Sequence, residues 1–307
     1  MDSIRLGELS VSQLEHCLRG AGLTVQIGTF RCLIRSDTGH LAQPLHLLYQ
    51  DYSACTSVQG FYDFRLVLKK KQRGPWGSKE VEFEWGGSSP FPALPITQTH
   101  PLFEWGLNWC VATLSGSHTV IHSAVVERDG GALVLPGAPG SGKSTLCAAL
   151  ALAEWRLLSD ELTILSQTDG WVQAIPRPIS LKGTSIELIQ AYCPLVDMTP
   201  PVTDTRKGTI AYARPPVAAV ASSERSVPIA YVVFPKFKGN TELVFEPLSR
   251  ATALTELMDN TFNVGLMGSE GFTALARSIA QAKCYAVEYG DLSSILEWVD
   301  STCRHPA

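Results

Sequence analysis

The chain has 307 residues, 45 % of them hydrophobic and 18 % charged, with a formal net charge of −4. That length suffices for one large domain or two small ones with a real core, and the acidic balance argues against a nucleic-acid scaffold. No apolar run reaches the roughly 18 residues of a membrane helix, and the opening MDSIRLGELS lacks the basic and apolar regions of a signal peptide, so a cytoplasmic protein is expected. None of the cysteines (17, 32, 55, 110, 147, 193, 284 and 303) forms a C-x-x-C pair. In a reducing compartment they are expected as free, small core residues.

The first 22 residues predict a helix. Ser12 and Glu15 have capping-box spacing, Leu14, Cys17 and Leu18 share a face, and Gly20 and Gly22 end it. Residues 24–35 and 61–71 are rich in β-formers and read as strands. GPWGS at 74–78 reads as a turn, and KEVEFEW after it alternates as the second strand of a hairpin does. Residues 1–100 thus read as an α+β module, with the Pro-rich stretch 90–101 as its boundary and residues 101–307 as a second domain.

Beyond residue 102 the runs 107–112 and 118–126 are apolar, and 132–136 is a short buried-type strand leading into a glycine-rich loop and a helix over 143–154. A strand is expected from 156 past Asp160 to Leu165. Strand, loop, helix and strand in this order are the mark of a parallel βαβ unit in an α/β fold. Further strands are expected at 229–234, 241–246 and 284–289, and helices at 250–260, 270–282 and 291–300, with Ser249 and Asp291 as caps. Residues 194–226, rich in Pro, Ala, Ser and Thr, read as irregular or mobile.

Gly137-Ala138-Pro139-Gly140-Ser141-Gly142-Lys143-Ser144 matches G-x-x-x-x-G-K-[ST] in full. Glycines let the backbone curl so that several N–H groups face one anion, and the following helix turns its positive end to the phosphates. Lys143 is expected on the β- and γ-phosphates and the Ser144 hydroxyl on Mg²⁺. Thr145 adds a second hydroxyl, read as a helix residue. A ligand-free glycine turn is the competing reading.

Asp160 and Glu161 end the apolar strand after the loop. Ligands of open α/β sheets lie beyond the carboxyl ends of strands, so Asp160 is expected near the loop, holding Mg²⁺ or accepting a proton from an attacking hydroxyl. A solvated acidic pair is the alternative. His122, alone at the end of HTVI, fits a structural role as well as a functional one. Arg177 and Lys182 in PRPISLKG are candidate cations for the transferring phosphoryl group. Arg206, Lys207 and Arg214 lie in a segment that reads as a closing lid or as a solvated loop. The run 69–73 reads as an exposed hairpin end, with a docking patch for an acidic partner as the lesser reading.

The segments FYDFRLVL (61–68), FEWGLNWCVA (103–112), IHSAVVERDGGALVLPGAPGSGKSTL (121–146), LLSDELTIL (157–165) and PRPISLKG (176–183) resemble the HprK-related kinase A family. That family lies within the HPr serine kinase/phosphorylase superfamily, whose P-loop core is shared with phosphoenolpyruvate carboxykinase. The resemblance implies a protein serine kinase using ATP and Mg²⁺, with Asp160 as the carboxylate that deprotonates the acceptor, Glu161 helping to hold the metal and His122 touching the transferring phosphate. It also implies a ribosomally made peptide, or a small peptide chaperone, as acceptor or partner, and leaves a homo-oligomer open. The chain departs from the superfamily in lacking a clear phosphorolysis motif and in carrying Glu161 where a second Asp stands, so kinase activity alone is expected and HPr itself is not the expected substrate. Two other functions use the same residues: an ATP sensor that transfers nothing, and a kinase for a small molecule.

Overall fold

The computed structural model describes residues 3–72 and 77–304. Strand β1 (Ile4–Arg5) leads through a 3-10 turn to helix α1 (Val11–Arg19). The capping box that starts α1 is Ser10 with Gln13, not Ser12 with Glu15: the Ser10 Oγ accepts from the Gln13 N–H at 3.3 Å, and the Ser10 N–H donates to Gln13 Oε1 at 2.8 Å. Leu14 and Leu18 are buried, and Gly20 ends the helix. The strand expected over 24–35 is a hairpin, β2 (Leu23–Ile27) and β3 (Phe30–Ser36). Gly28 breaks it with φ of +57°, and a Cβ there would lie 2.3 Å from the Ala174 carbonyl oxygen, so the turn seats directly on a later segment of the chain.

Helix α2 (Ala42–Leu48) and strand β4 (Ser53–Cys55) follow. Strands β5 (Phe64–Gln72) and β6 (Lys79–Glu84) pair antiparallel, from Gln72 opposite Lys79 to Val67 opposite Glu84. Most of the turn expected between them, 74–76, lies outside the described residues. Strand β7 (Leu94–Pro95) completes a seven-stranded sheet of order β1-β4-β2-β3-β5-β6-β7, in which only β3 and β5 run parallel. The stretch 90–101 is ordered into β7, a 3-10 turn and the start of helix α3 (Thr99–Leu114). The apolar run at 107–112 is therefore helical. Leu102, Phe103, Leu107, Cys110 and Val111 of α3 are buried in the core of the first sheet. A Cβ on Gly106 would meet the Phe83 ring at 2.3 Å, so glycine sets the close seating of α3 on β6.

The remaining elements are β8 (His118–Ile121), β9 (Ser123–Arg128), β10 (Gly131–Pro136), α4 (Lys143–Leu152), β11 (Arg156–Ser159), β12 (Thr163–Ser166), β13 (Val172–Gln173), β14 (Ile179–Lys182), α5 (Thr184–Tyr192), β15 (Val202–Thr205), β16 (Gly208–Ala213), α6 (Val217–Ala221), β17 (Ile229–Phe237), β18 (Val244–Leu248), α7 (Arg250–Asp259), α8 (Val264–Ser278), β19 (Lys283–Tyr289) and α9 (Leu292–Thr302). They build a six-stranded sheet of order β11-β9-β10-β17-β19-β18, in which β10, β17 and β19 are mutually parallel. The unit β10-α4-β11 is parallel as expected, but β9 lies between its strands, antiparallel to both. Ser249 and Asp291 cap α7 and α9 as read from the sequence.

Two expectations fail in informative ways. The strand expected through Leu165 stops at Ser159, and β12 joins a different sheet with β8 and β13. The stretch 194–226 is irregular only in part: β15 and β16 form a hairpin, β16 pairs with β14 over residues 210–213, and α6 follows. Alternation explains the core of the six-stranded sheet. Leu133 and Leu135 face α4, α5 and α9, whereas Ala132 and Val134 face α7 and α8. Both faces are covered, as a sheet with a parallel centre requires. The fold is mixed α/β, and no helix of the described residues is long and apolar enough to cross a membrane.

Candidate active site

Strand β10 ends at buried Pro136, and the chain curls through Gly137, Ala138, Pro139, Gly140, Ser141 and Gly142 before α4 begins at Lys143. Gly137, Gly140 and Gly142 take φ of +140°, +85° and +94°. A Cβ at Gly142 would stand 2.1 Å from the Tyr289 hydroxyl, so both backbone and space demand glycine. No side chain caps the N-terminus of α4, which leaves its first N–H groups and the positive end of its dipole for an anion. The Lys143 ammonium folds back on the loop, donating to the carbonyls of Gly137 at 2.5 Å and Ala138 at 3.0 Å. Burial lowers its pKa, against the attraction of Asp160. Ala138, Pro139 and Gly140 are exposed, while Ser144 and Thr145 lie half-buried on the first turn of α4.

The chain leaves β11 in a turn closed by the Leu162 N–H on Ser159 Oγ at 3.2 Å. That turn carries Asp160 and Glu161. Asp160 is only 4 % exposed. Its Oδ2 accepts from the Ser180 N–H at 2.9 Å, and its Oδ1 has no hydrogen-bond partner among the described residues. Burial, then repulsion from Glu161, pushes its pKa up to about 6, opposed by the Ser180 N–H, the nearby Ser144 hydroxyl and Lys182. Glu161 accepts from Asn108 Nδ2 and faces Lys207 Nζ at 3.6 Å. Burial alone would raise its pKa, but Lys207, Arg177, Lys182 and His122 hold it below the usual value. The acidic pair is therefore not a solvated strand end: one carboxyl is easily protonated and its neighbour is firmly ionised.

His122 lies at the break between β8 and β9, its N–H donating to the Asn260 carbonyl at 2.7 Å and its ring centroid 5.5 Å from that of Phe262. Burial and the cations Lys143, Lys207 and Lys182 lower its pKa, against Glu161, so its imidazole is neutral at pH 7. Loop, acidic pair, His122, Lys182 and Lys207 thus converge on one place. Arg177 does not reach the loop. It is buried, donates from Nη2 to Asn108 Oδ1 at 2.5 Å, and is attracted most strongly by Glu104. Arg214 belongs to no lid: it pairs with Asp51 at 2.6 Å and Asp197 at 2.8 Å. Of the basic run on β5, Lys69 pairs with Glu84 and Lys71 with Glu82 across the hairpin.

Asn108 was invisible as a site residue in the sequence. Its one signal is a lone amide in the otherwise apolar run of α3, where a polar side chain needs a partner. Ser180 acts through its main chain, which no side-chain motif reports. The donor set fits a nucleoside triphosphate with Mg²⁺: an uncapped helix end and an ammonium held only by loop carbonyls for phosphates, and an unpartnered carboxylate oxygen beside a hydroxyl for a hard cation. No group of three or more His, Cys, Asp or Glu clusters as a metal cage among the described residues. Mg²⁺ shared with phosphates needs only one or two carboxylates. The chain matches no protein-family model, and no curated protein is similar to it at a significant level.

Proposed function

We propose that this chain is an ATP-dependent serine kinase that transfers the γ-phosphate to a hydroxyl of a protein or peptide, on a P-loop core of the HPr-kinase type. One observation carries the reading: a buried carboxyl with its pKa raised to about 6 and one oxygen unpartnered stands next to a glycine loop that opens onto an uncapped helix. A sensor needs the loop but has no use for such a base.

The loop N–H groups and the start of α4 bind the phosphates, and Lys143 exchanges the two loop carbonyls for the β- and γ-phosphate oxygens, a charge-assisted and stronger contact. Ser144 and Glu161 are the residues that would hold Mg²⁺, with Asp160 beside it, and the ion would neutralise phosphate charge. Asp160 accepts the proton of the acceptor hydroxyl as its oxygen bonds to the γ-phosphorus. The bond from that phosphorus to the β–γ bridging oxygen breaks, and ADP leaves. Asn108 and Lys207 keep Glu161 in place, and Lys182 and neutral His122 supply positive charge and a ring N–H toward the phosphoryl oxygens.

The test is incubation with γ-labelled ATP, Mg²⁺ and a degenerate serine-peptide library, with products located by mass spectrometry. Label on peptide serine, lost in Asp160→Asn while ATP still binds, supports the proposal. Tight ATP binding with label on no peptide overturns it in favour of a sensor or a small-molecule kinase.

A further inference from the structure

Helix α3 presents two residues three positions apart, and hence on one face: Asn108, which holds Glu161, and Trp105. Trp105 floors a groove of about 160 Å³ whose other walls are Phe91, Pro92 and Leu94, with Arg206 and Lys207 on its rim. The two cations form the exposed tip of the β15–β16 hairpin. Its position is fixed from below, where Gln98 Nε2 donates to the Asp204 carbonyl at 3.0 Å. Lys207 belongs to both places. Its Nζ lies 5.7 Å from the centre of the Trp105 ring and 3.6 Å from Glu161 Oε1. The two contacts together put the Trp105 ring no more than about 9 Å from the Glu161 carboxylate, the span of about three residues of extended chain at roughly 3.3 Å each.

We propose that this groove is the docking pocket for the acceptor. It takes one large apolar side chain, within about three residues of the phosphorylated hydroxyl at extended spacing, from a peptide or protein segment that also carries an acidic residue against Arg206. The proposal rests on the kinase reading for what happens to the docked segment. Three features select this occupant. The walls are apolar and aromatic, which suits a bulky side chain. The rim is cationic, and Lys207 is already engaged by Glu161, so Arg206 is the charge left to meet an acidic partner. The groove also shares Lys207 with the acidic pair, whose Glu161 that ammonium faces at 3.6 Å, so a segment seated in it lies within a few residues' reach of the site. A small-molecule acceptor would leave this groove without a use.

The experiment is affinity selection of a degenerate serine-peptide library on the immobilised full chain without nucleotide, repeated with Trp105→Ala, Arg206→Glu and Asp160→Asn. Wild type is expected to enrich peptides with an aromatic or large aliphatic residue within three positions of serine and an acidic residue nearby. Trp105→Ala loses the apolar preference about tenfold, the hot-spot scale of a buried aromatic anchor. Arg206→Glu, at an exposed site that folding tolerates, reverses the charge preference, and Asp160→Asn keeps the selection. Equal enrichment of all sequences by wild type, or a preference unchanged in both Trp105→Ala and Arg206→Glu, overturns the docking pocket. The two readings fail separately. Selected peptides that wild type never phosphorylates sink the kinase reading and leave the pocket, whereas phosphorylation without apolar or acidic preference sinks the pocket and leaves the kinase.

Discussion

Asp160→Asn is expected to make the nucleotide-free protein more stable at pH 8 while removing transfer. Folded Asp160 keeps its proton up to about pH 6, whereas the unfolded chain releases it near 3.8. Between those values the folded state binds more protons, so stability falls as pH rises, and the full penalty is present above pH 6. The gap corresponds to about 3 kcal/mol. Asparagine removes the buried charge and keeps an acceptor for the Ser180 N–H, but brings an amide that needs its own partner, so a net gain of about 1–3 kcal/mol at pH 8 is expected. Urea unfolding of wild type and variant at pH 4, 6 and 8 reads the difference. The variant's advantage should be largest at pH 8 and mostly gone at pH 4. His122, whose lowered pKa costs stability at low pH, acts equally on both proteins and cancels. An advantage of the same size at pH 4 and 8, or none at any pH, would refute the claim that burial raises the pKa of this carboxyl.

The kcat/KM for Mg-ATP should fall tenfold per pH unit below about pH 6, as Asp160 of the nucleotide-free protein takes up the proton it must be free to accept. Gly142→Ala, forced onto the Tyr289 hydroxyl at a φ of +94°, should cost at least about 1–3 kcal/mol in unfolding measurements and abolish ATP binding. Arg214→Ala removes charged hydrogen bonds to Asp51 and Asp197 and should cost about 2–3 kcal/mol in urea unfolding with little change in ATP affinity.

The glycine loop was legible in the sequence because each of its positions is dictated by backbone chemistry: residues that tolerate positive φ, then an ammonium and a hydroxyl opening a helix. The α/β core was legible for a related reason, since β10, α4 and β11 each carry a short continuous apolar pattern. What failed depends on partners distant in the chain. The hairpin β2–β3 reads as one strand because Gly28 is a single residue, and what it packs against, Ala174, lies far along the sequence. The break after Ser159 comes from a Ser159 turn bond and from β12 pairing in another sheet, neither visible as a change of composition. The hairpin β15–β16 hides in a stretch of Pro, Ala, Ser and Thr whose β-structure is fixed by pairing with β14. Arg177 shows the same limit at the site: its sequence neighbours suggest a phosphate cation, while its real neighbours are Asn108 and Glu104.

Equilibrium titration with Mg-ATP, with label transfer followed in the same samples, reads both halves of the account in wild type, Lys143→Ala and Asp160→Asn. Lys143→Ala should lose binding at least a hundredfold, and Asp160→Asn should bind within a few-fold of wild type yet transfer nothing, as expected when a charged phosphate contact and a catalytic base are removed in turn. A wild-type protein that fails to bind the nucleotide, or an Asp160→Asn variant that transfers phosphate at the wild-type rate, would contradict it.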